Sequence, residues 1–128
     1  MFDQLRIGSD AKEAKSFTPT HPNRSIGKTH GISLQLHGKH SEQYANATAA
    51  MLRKRARQGS FTTEEAIEES AKLIVACCEG WAGVTEKADP KKEKKFNRKE
   101  LSEMLVDNDF KWLRLQAEQF MQDDDNFF

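Results

Sequence analysis

Residues 62–83 carry the feature that most narrows the choice of fold. Thr62 and Glu65 form a T-x-x-E capping box, in which the threonine hydroxyl accepts from the backbone three residues on and the glutamate reaches back. A helix opened there lays Ile67, Ala71, Ile74, Cys78 and Trp81 along one stripe at 3.6-residue spacing. Leu73, Val75, Ala76 and Cys77 make its second half apolar nearly all round. Such a helix must be covered on several sides. The spacing therefore predicts a central helix running to Trp81, closed by Gly80 and Gly83, with other elements packed around it.

The neighbours needed to cover it are legible on both sides. Ser41 is a good N-cap, and Tyr44, Thr48, Met51 and Leu52 follow at helical spacing, with Ala45, Ala47, Ala49 and Ala50 raising helix propensity. Arg53, Lys54, Arg55 and Arg57 crowd the last turns, where cations complement the helix dipole, and Gly59 ends the helix. Downstream, Thr85 to Lys95 reads as a charged loop interrupted by Pro90. Asn97 and Glu100 repeat the capping logic ahead of Leu101, Met104 and Leu105. Asp107, Asn108 and Asp109 break and recap. The last helix then shows Phe110, Leu113, Ala117, Phe120 and Met121 on one side, with Trp112 and Leu115 on a second face.

Upstream of the helices, Ile32, Leu34 and Leu36 alternate with Ser33, Gln35 and His37, a period of two that predicts a strand over 31–37. A lone strand needs a partner. The candidates are the segment around Leu5 and Ile7, or the same strand of another subunit. Residues 1–30 are punctuated by Gly8, Pro19, Pro22 and Gly27, and Phe2, Phe17 and Ile26 are too scattered to build a core. The expected organisation is an extended or partly disordered arm over 1–30, followed by a helical domain over 31–128 that opens with a strand. The fold class is mainly α, with about four helices, a short N-terminal β element and a loosely ordered arm.

At 128 residues the chain can bury a core without disulfides or a metal. Its formal net charge is zero and 31% of residues are charged, so no global field draws it to nucleic acid or anionic lipid. No stretch reaches the ~20 apolar residues that span a bilayer. The opening MFDQLRIGSD lacks an apolar signal-peptide centre, and the expected location is the cytoplasm. Cys77 and Cys78, adjacent on a helix, point about 100° apart and are poorly placed to bridge each other; they read as small buried thiols.

Catalytic chemistry finds no footing. His37-x-x-His40 spans the strand-to-helix turn, with His21 and His30 upstream, but zinc needs three or four converging ligands; these read as solvated or turn histidines. No nucleophile elbow accompanies a base. Gly27-Lys28-Thr29 lacks the Walker glycine five residues earlier, where Pro22 stands. The chain reads as a non-enzyme with no cofactor and no metal. Residues 87–99 hold seven Lys or Arg beside Phe96, and Arg53 to Arg57 add a second cluster, a pattern that can track phosphates. Acids interrupt the loop and no helix-turn-helix spacing is present, so a solvated loop is the preferred reading. Trp112, Leu115, Phe127 and Phe128 exceed what one helix face buries; they cover the remaining core or form an association surface.

The run Glu79-Gly80-Trp81-Ala82-Gly83-Val84-Thr85 resembles the x-G-W-x-G-[IV]-x segment of tail assembly chaperones of long-tailed bacteriophages. Phe96-Asn97-Arg98-Lys99-Glu100-Leu101, the step Asp107-Asn108-Asp109-Phe110 and the ending Asn126-Phe127 are similar to elements that follow it there. Gly38, Ser41 and Tyr44 resemble the family's entry into its first helix. The resemblance spans roughly residues 31–128; the lysine-rich stretch around Pro90 departs from the compact turn of the family. It implies a homo-oligomeric protein that binds the tape-measure protein, keeps it soluble and helps tail-tube subunits polymerise around it. It further implies contact with the tail-tube protein, a longer frameshifted form, and absence from the finished virion. On that footing Trp112, Leu115, Phe127 and Phe128 are the expected partner surface. Gly80, Trp81, Gly83, Phe96 and Phe110 are the expected fold anchors. The rival readings are a structural minor tail protein retained in the virion and a small nucleic-acid-binding regulator.

Overall fold

Helix ends fall where the capping chemistry puts them. A computed structural model describes residue 6, residues 8–23, residue 25, residues 31–86 and residues 88–128. Helix α1 spans Glu42–Gln58, with the Ser41 side chain accepting from the Tyr44 backbone and Gly59 closing it at φ +88°. Helix α2 spans Thr63–Cys77 behind a complete Thr62/Glu65 capping box. Helix α3 spans Arg98–Val106, capped by Asn97 accepting from the Glu100 N–H at 3.1 Å. Asp107 caps a 3-10 turn at Asn108–Phe110 that leads into α4, Lys111–Gln122. A 3-10 turn at Asp124–Asn126 follows. With strands β1 (Lys15–Phe17), β2 (Ser33–Leu36) and β3 (Cys78–Ala82), the described residues make a mainly α fold with one small sheet.

The central helix is shorter than its apolar stripe predicts. It stops at Cys77, and Cys78 to Ala82 form β3 instead of a further helical turn. Cys78 turns extended at φ −93°, ψ 123°. The helix end is paired from outside: the His37 N–H donates to the Cys77 carbonyl at 2.8 Å. Arg98 Nη1 donates to the Val75 and Cys78 carbonyls at 2.9 and 2.6 Å. The His37 N–H satisfies a carbonyl that a helix terminus leaves orphaned, and Arg98 adds a second donor to Val75, which already accepts from the Cys78 N–H. Ile74, Cys78 and Trp81 sit at helical spacing by coincidence; Gly80 and a β-prone Trp81 favour the strand. The two cysteines therefore sit on different elements, Cys77 ending a helix and Cys78 opening a strand.

Strand β2 lies between β1 and β3, antiparallel to both, with Phe17 opposite Leu34 and Lys15 opposite Leu36. The register against β3 runs Leu34 to Trp81 and Gln35 to Gly80, then skips to Leu36 opposite Cys78. Glu79 is the extra residue of this bulge. Its carboxylate meets the buried His37 ring at Nε2 (2.7 Å), while Nδ1 donates to the Lys12 carbonyl (2.8 Å). His37 is thus a buried tie between β3 and the segment before β1, not a solvated turn histidine. Leu34 and Leu36 reach zero exposure against Ala71, Ile74 and Cys77 of α2, Leu101 and Leu105 of α3, and Leu113, Ala117 and Met121 of α4. Helix α2 packs against α1, α3 and α4 together.

The expected strand partners Leu5 and Ile7, like Phe2, Ile26, the Gly27-Lys28-Thr29 triplet and His30, lie outside the described residues. Strands β1 and β3 are the partners seen, and Phe17, expected to stand apart from any core, is buried in β1. The ring of Phe17 stacks 5.0 Å from Phe120. Thr20 and Gln116 exchange two hydrogen bonds at 2.8 and 2.7 Å. His21 lies 4.8 Å from the Trp112 ring. Residues 17–21 therefore strap the 112/116/120 strip of α4.

Phe127 is also an internal residue. It is 3% exposed, packs edge-on to Phe120 at 5.5 Å, and fills the space over Gly38, where an added Cβ would stand 2.6 Å from its ring. Its expected role on a partner surface is overturned by that burial. Phe127→Ala should cost about 3 kcal/mol of stability in urea denaturation, the usual range for an emptied aromatic site. An unchanged unfolding midpoint would return Phe127 to the surface.

Candidate partner-binding groove

Of the four aromatic and aliphatic residues expected on a partner surface, two remain accessible. Leu115 is 48% and Phe128 69% exposed, whereas Trp112 is half-buried under the residue 17–21 strap and Phe127 is internal. Phe128 packs edge-on to His40, whose Nε2 meets the Asp124 carboxylate at 2.9 Å. Leu115 instead lines an open groove of about 680 Å³ between α1, α2 and α4.

The groove follows from the way α4 is used up. A helix turns 100° per residue, so residues three and four apart share a face. Leu113, Ala117 and Met121 point into the core, and Trp112, Gln116 and Phe120 meet the strap. What remains is the strip Leu115, Glu118, Gln119 and Gln122, which forms one wall. Tyr44 and Met51 of α1 form the other, above Ala66, Ser70 and Leu73 of α2. Gln122 Nε2 donates to Tyr44 Oη at 2.6 Å and joins the two walls at one end.

Helix α1 holds its place lightly. None of its residues is fully buried, and Leu52 is 55% exposed. Its second seam with α2 is bound by charge: Lys54 Nζ lies 2.7 Å from the buried Glu69 carboxylate, with Lys72 Nζ at 3.2 Å. The hydrogen bond that Lys54 donates to Glu69 lowers the Glu69 carboxyl from its ordinary value and raises the Lys54 ammonium.

One charged side chain lines the groove among the described residues. Glu118 Oε1 accepts a hydrogen bond from Ser70 Oγ. Burial pushes its carboxyl up from the ordinary glutamate value, against the pull of Arg114, which is itself buried and donates to the Leu105 carbonyl at 3.4 Å. The sequence holds one hint of this site, Leu115 as an apolar residue on a second face of the last helix. The α1 and α2 walls come from far along the chain and leave no local pattern.

The other candidate chemistry is dispersed. Among the described residues no group of three His, Cys, Asp or Glu is placed to hold a metal ion. Burial, with the neighbouring Cys78, pushes the Cys77 thiol up to about 12, and burial raises Cys78 as well, so neither supplies a thiolate nucleophile. Gly80, Trp81, Gly83, Phe96 and Phe110, the expected anchors, fall in two places. Trp81 stacks edge-on to Phe96 at 5.1 Å and donates from Nε1 to the Lys94 carbonyl at 2.8 Å. Gly83 sits at φ +76°, where a side chain would collide with the Gly31 carbonyl, and Gly80 lies in β3 opposite Gln35. Phe110 opens α4 beside Trp112. The lysine loop is knitted by a Thr85–Glu93 bridge, and Lys92 and Lys94 meet Glu86 and Glu100 at 3.9 and 2.6 Å. These pairings spend part of the basic charge that a phosphate backbone would need.

Glu118 makes a pH signature. A carboxyl raised on folding contributes stability that is fully present below its unfolded value near 4.5 and is lost as pH rises through the folded value. Glu118→Gln keeps an acceptor for Ser70 and removes the titration. Its stability should match the native chain at about pH 4 and exceed it at about pH 7; a difference that stays flat with pH would remove burial as the cause. No protein-family model, no curated protein and no solved structure matches the chain.

Proposed function

We propose that this chain is an assembly chaperone of a long-tailed bacteriophage, which shelters an apolar helical segment of the tape-measure protein until tail-tube subunits enclose it. The observation that carries the reading is the α1/α2/α4 groove, an open channel with Tyr44, Met51, Leu73 and Leu115 on its walls. Helix-in-groove docking needs a trough of that kind between two helices, with apolar anchors on both sides. The family resemblance over residues 31–128 supplies the partner's identity and the setting, a host-cell cytoplasm and a protein that leaves before the virion is finished. The same resemblance supplies a homo-oligomer, a longer frameshifted form and contact with the tail-tube protein.

Physical chemistry supports the division of labour. A tape-measure protein presents long apolar helical surface before it is covered, and such surface aggregates unless masked. One groove of this size holds only a short stretch of it. Several copies along the client gain by effective concentration what each lacks in affinity.

The test is co-expression with the tape-measure protein encoded beside this chain, scored by solubility and co-purification. The native chain should bring the client into the soluble fraction. Leu115→Asp should abolish co-purification while shifting stability by no more than about 0.5 kcal/mol, as for a surface change. Retention of this chain in purified virions, seen by mass spectrometry, would replace the chaperone with a structural tail component. Binding to nucleic acid that falls steeply with salt would replace it with a regulator.

A further inference from the structure

The groove is apolar but not neutral, and the charge sits where it has a use. Glu118 lies three residues after Leu115 on the same wall, so the carboxylate stands about one helical turn, roughly 5 Å, from the main apolar anchor. A carboxylate offers about four acceptor positions, of which Ser70 fills one. The only other ionisable group on the groove lining is the Tyr44 phenol, already bonded to Gln122. The cations of the neighbouring seam, Lys54 and Lys72, are engaged with Glu69. Arg114, one turn before Glu118 on α4, draws on its carboxylate through space but is buried and donates to the Leu105 carbonyl. Among the described residues no lysine or arginine lines the groove, and Arg114 acts on the carboxylate from within the fold, so its groove-facing side is open to a cation from outside.

From this we infer that the groove is selective for amphipathic helices that carry a lysine or arginine within their apolar face, one turn from the residue that packs on Leu115. The inference rests on the docking reading above and adds the chemistry of the client. A purely apolar helix would bury Glu118 further with nothing to meet it, which is costly for an acid already removed from water. A helix with a cation at that place exchanges the loss for an ion pair shielded by Leu115 and Met51. The carboxylate so acts as a register mark. It accepts a client helix in the position that brings its cation to Glu118 and penalises the positions that do not.

The probe is a pair of labelled twenty-residue amphipathic peptides, identical but for one central position of the apolar face, Lys in one and Gln in the other. Fluorescence anisotropy with the full chain at physiological salt should give the Lys peptide an advantage on the order of tenfold, falling as salt is raised. Glu118→Gln should erase the advantage while leaving the Gln peptide bound. As a second arm, Glu118→Lys should turn the preference toward a Glu peptide. Equal binding of the Lys and Gln peptides to the native chain overturns the charge match. If Leu115→Asp still abolishes that equal binding, apolar docking stands without it. A Lys preference that survives Glu118→Gln also overturns the inference, as does failure of both peptides to bind. The co-expression experiment, which uses no peptide, then decides the chaperone reading separately.

Discussion

Everything in this structure depends on how α2 ends. The helix runs into β3 with no loop between them, so the Cys77 and Cys78 carbonyls take donors from outside the helix, while the Val75 carbonyl, already bonded to the Cys78 N–H, accepts a second. Unpaired, such groups would cost a buried hydrogen bond each. The Arg98 guanidinium takes two of them at once, and a cation at a helix C-terminus also complements the dipole. Because Arg98 is the first residue of α3, the same contact fixes where that helix begins, 5.2 Å above the Phe96 ring. Leu101 and Leu105 then fall against α2. The His37 N–H takes the Cys77 carbonyl and anchors β2 to the same point. One junction thereby orders the sheet, the third helix and the core they share.

Helix α4 shows how twelve residues serve three masters. Its core stripe, its strapped strip and its groove wall are offset by single residues, as a 100° turn per residue requires. The strap matters for function as much as for packing. Residues 17–21 cover Trp112, Gln116 and Phe120, which would otherwise extend the apolar surface of the groove wall around the helix. What stays open is a narrower strip with a defined charge, and a defined strip can discriminate where a broad apolar patch can only adhere.

The parts of the fold legible in the sequence are those set by local chemistry. Ser41, Thr62 and Asn97 cap the helices that follow them, since a cap needs only its own next three residues, whereas Asp107 caps a 3-10 turn and α4 itself opens at Phe110 without a side-chain cap. The alternation of Leu34 and Leu36 with polar neighbours gave β2 for the same reason. Legibility fails where distant partners decide. The 74/78/81 stripe looked helical because nothing local announces that Arg98 and His37 will terminate α2 at Cys77. Phe17 and Phe127 looked peripheral because each is isolated in sequence, yet both meet Phe120. Of the site, Leu115 was legible as an apolar excess on α4. Glu118 was not, because its meaning comes from Ser70, forty-eight residues away, and from walls supplied by α1.

The looseness of α1 is what makes a groove of this kind usable. Helix α1 has no fully buried residue and is fastened at one end by Tyr44 and along one seam by Lys54. Met51 and Met121 add unbranched, polarizable walls that fit irregular clients. On the proposed chaperone function, the protein must also let go when tail-tube subunits compete for the same surface. Rigid, enclosed binding would oppose that exchange, whereas a shallow groove that holds by a few anchors and one charge gives each site a short residence. On that proposal, retention comes from many sites acting along one client, and release follows as they are displaced one at a time.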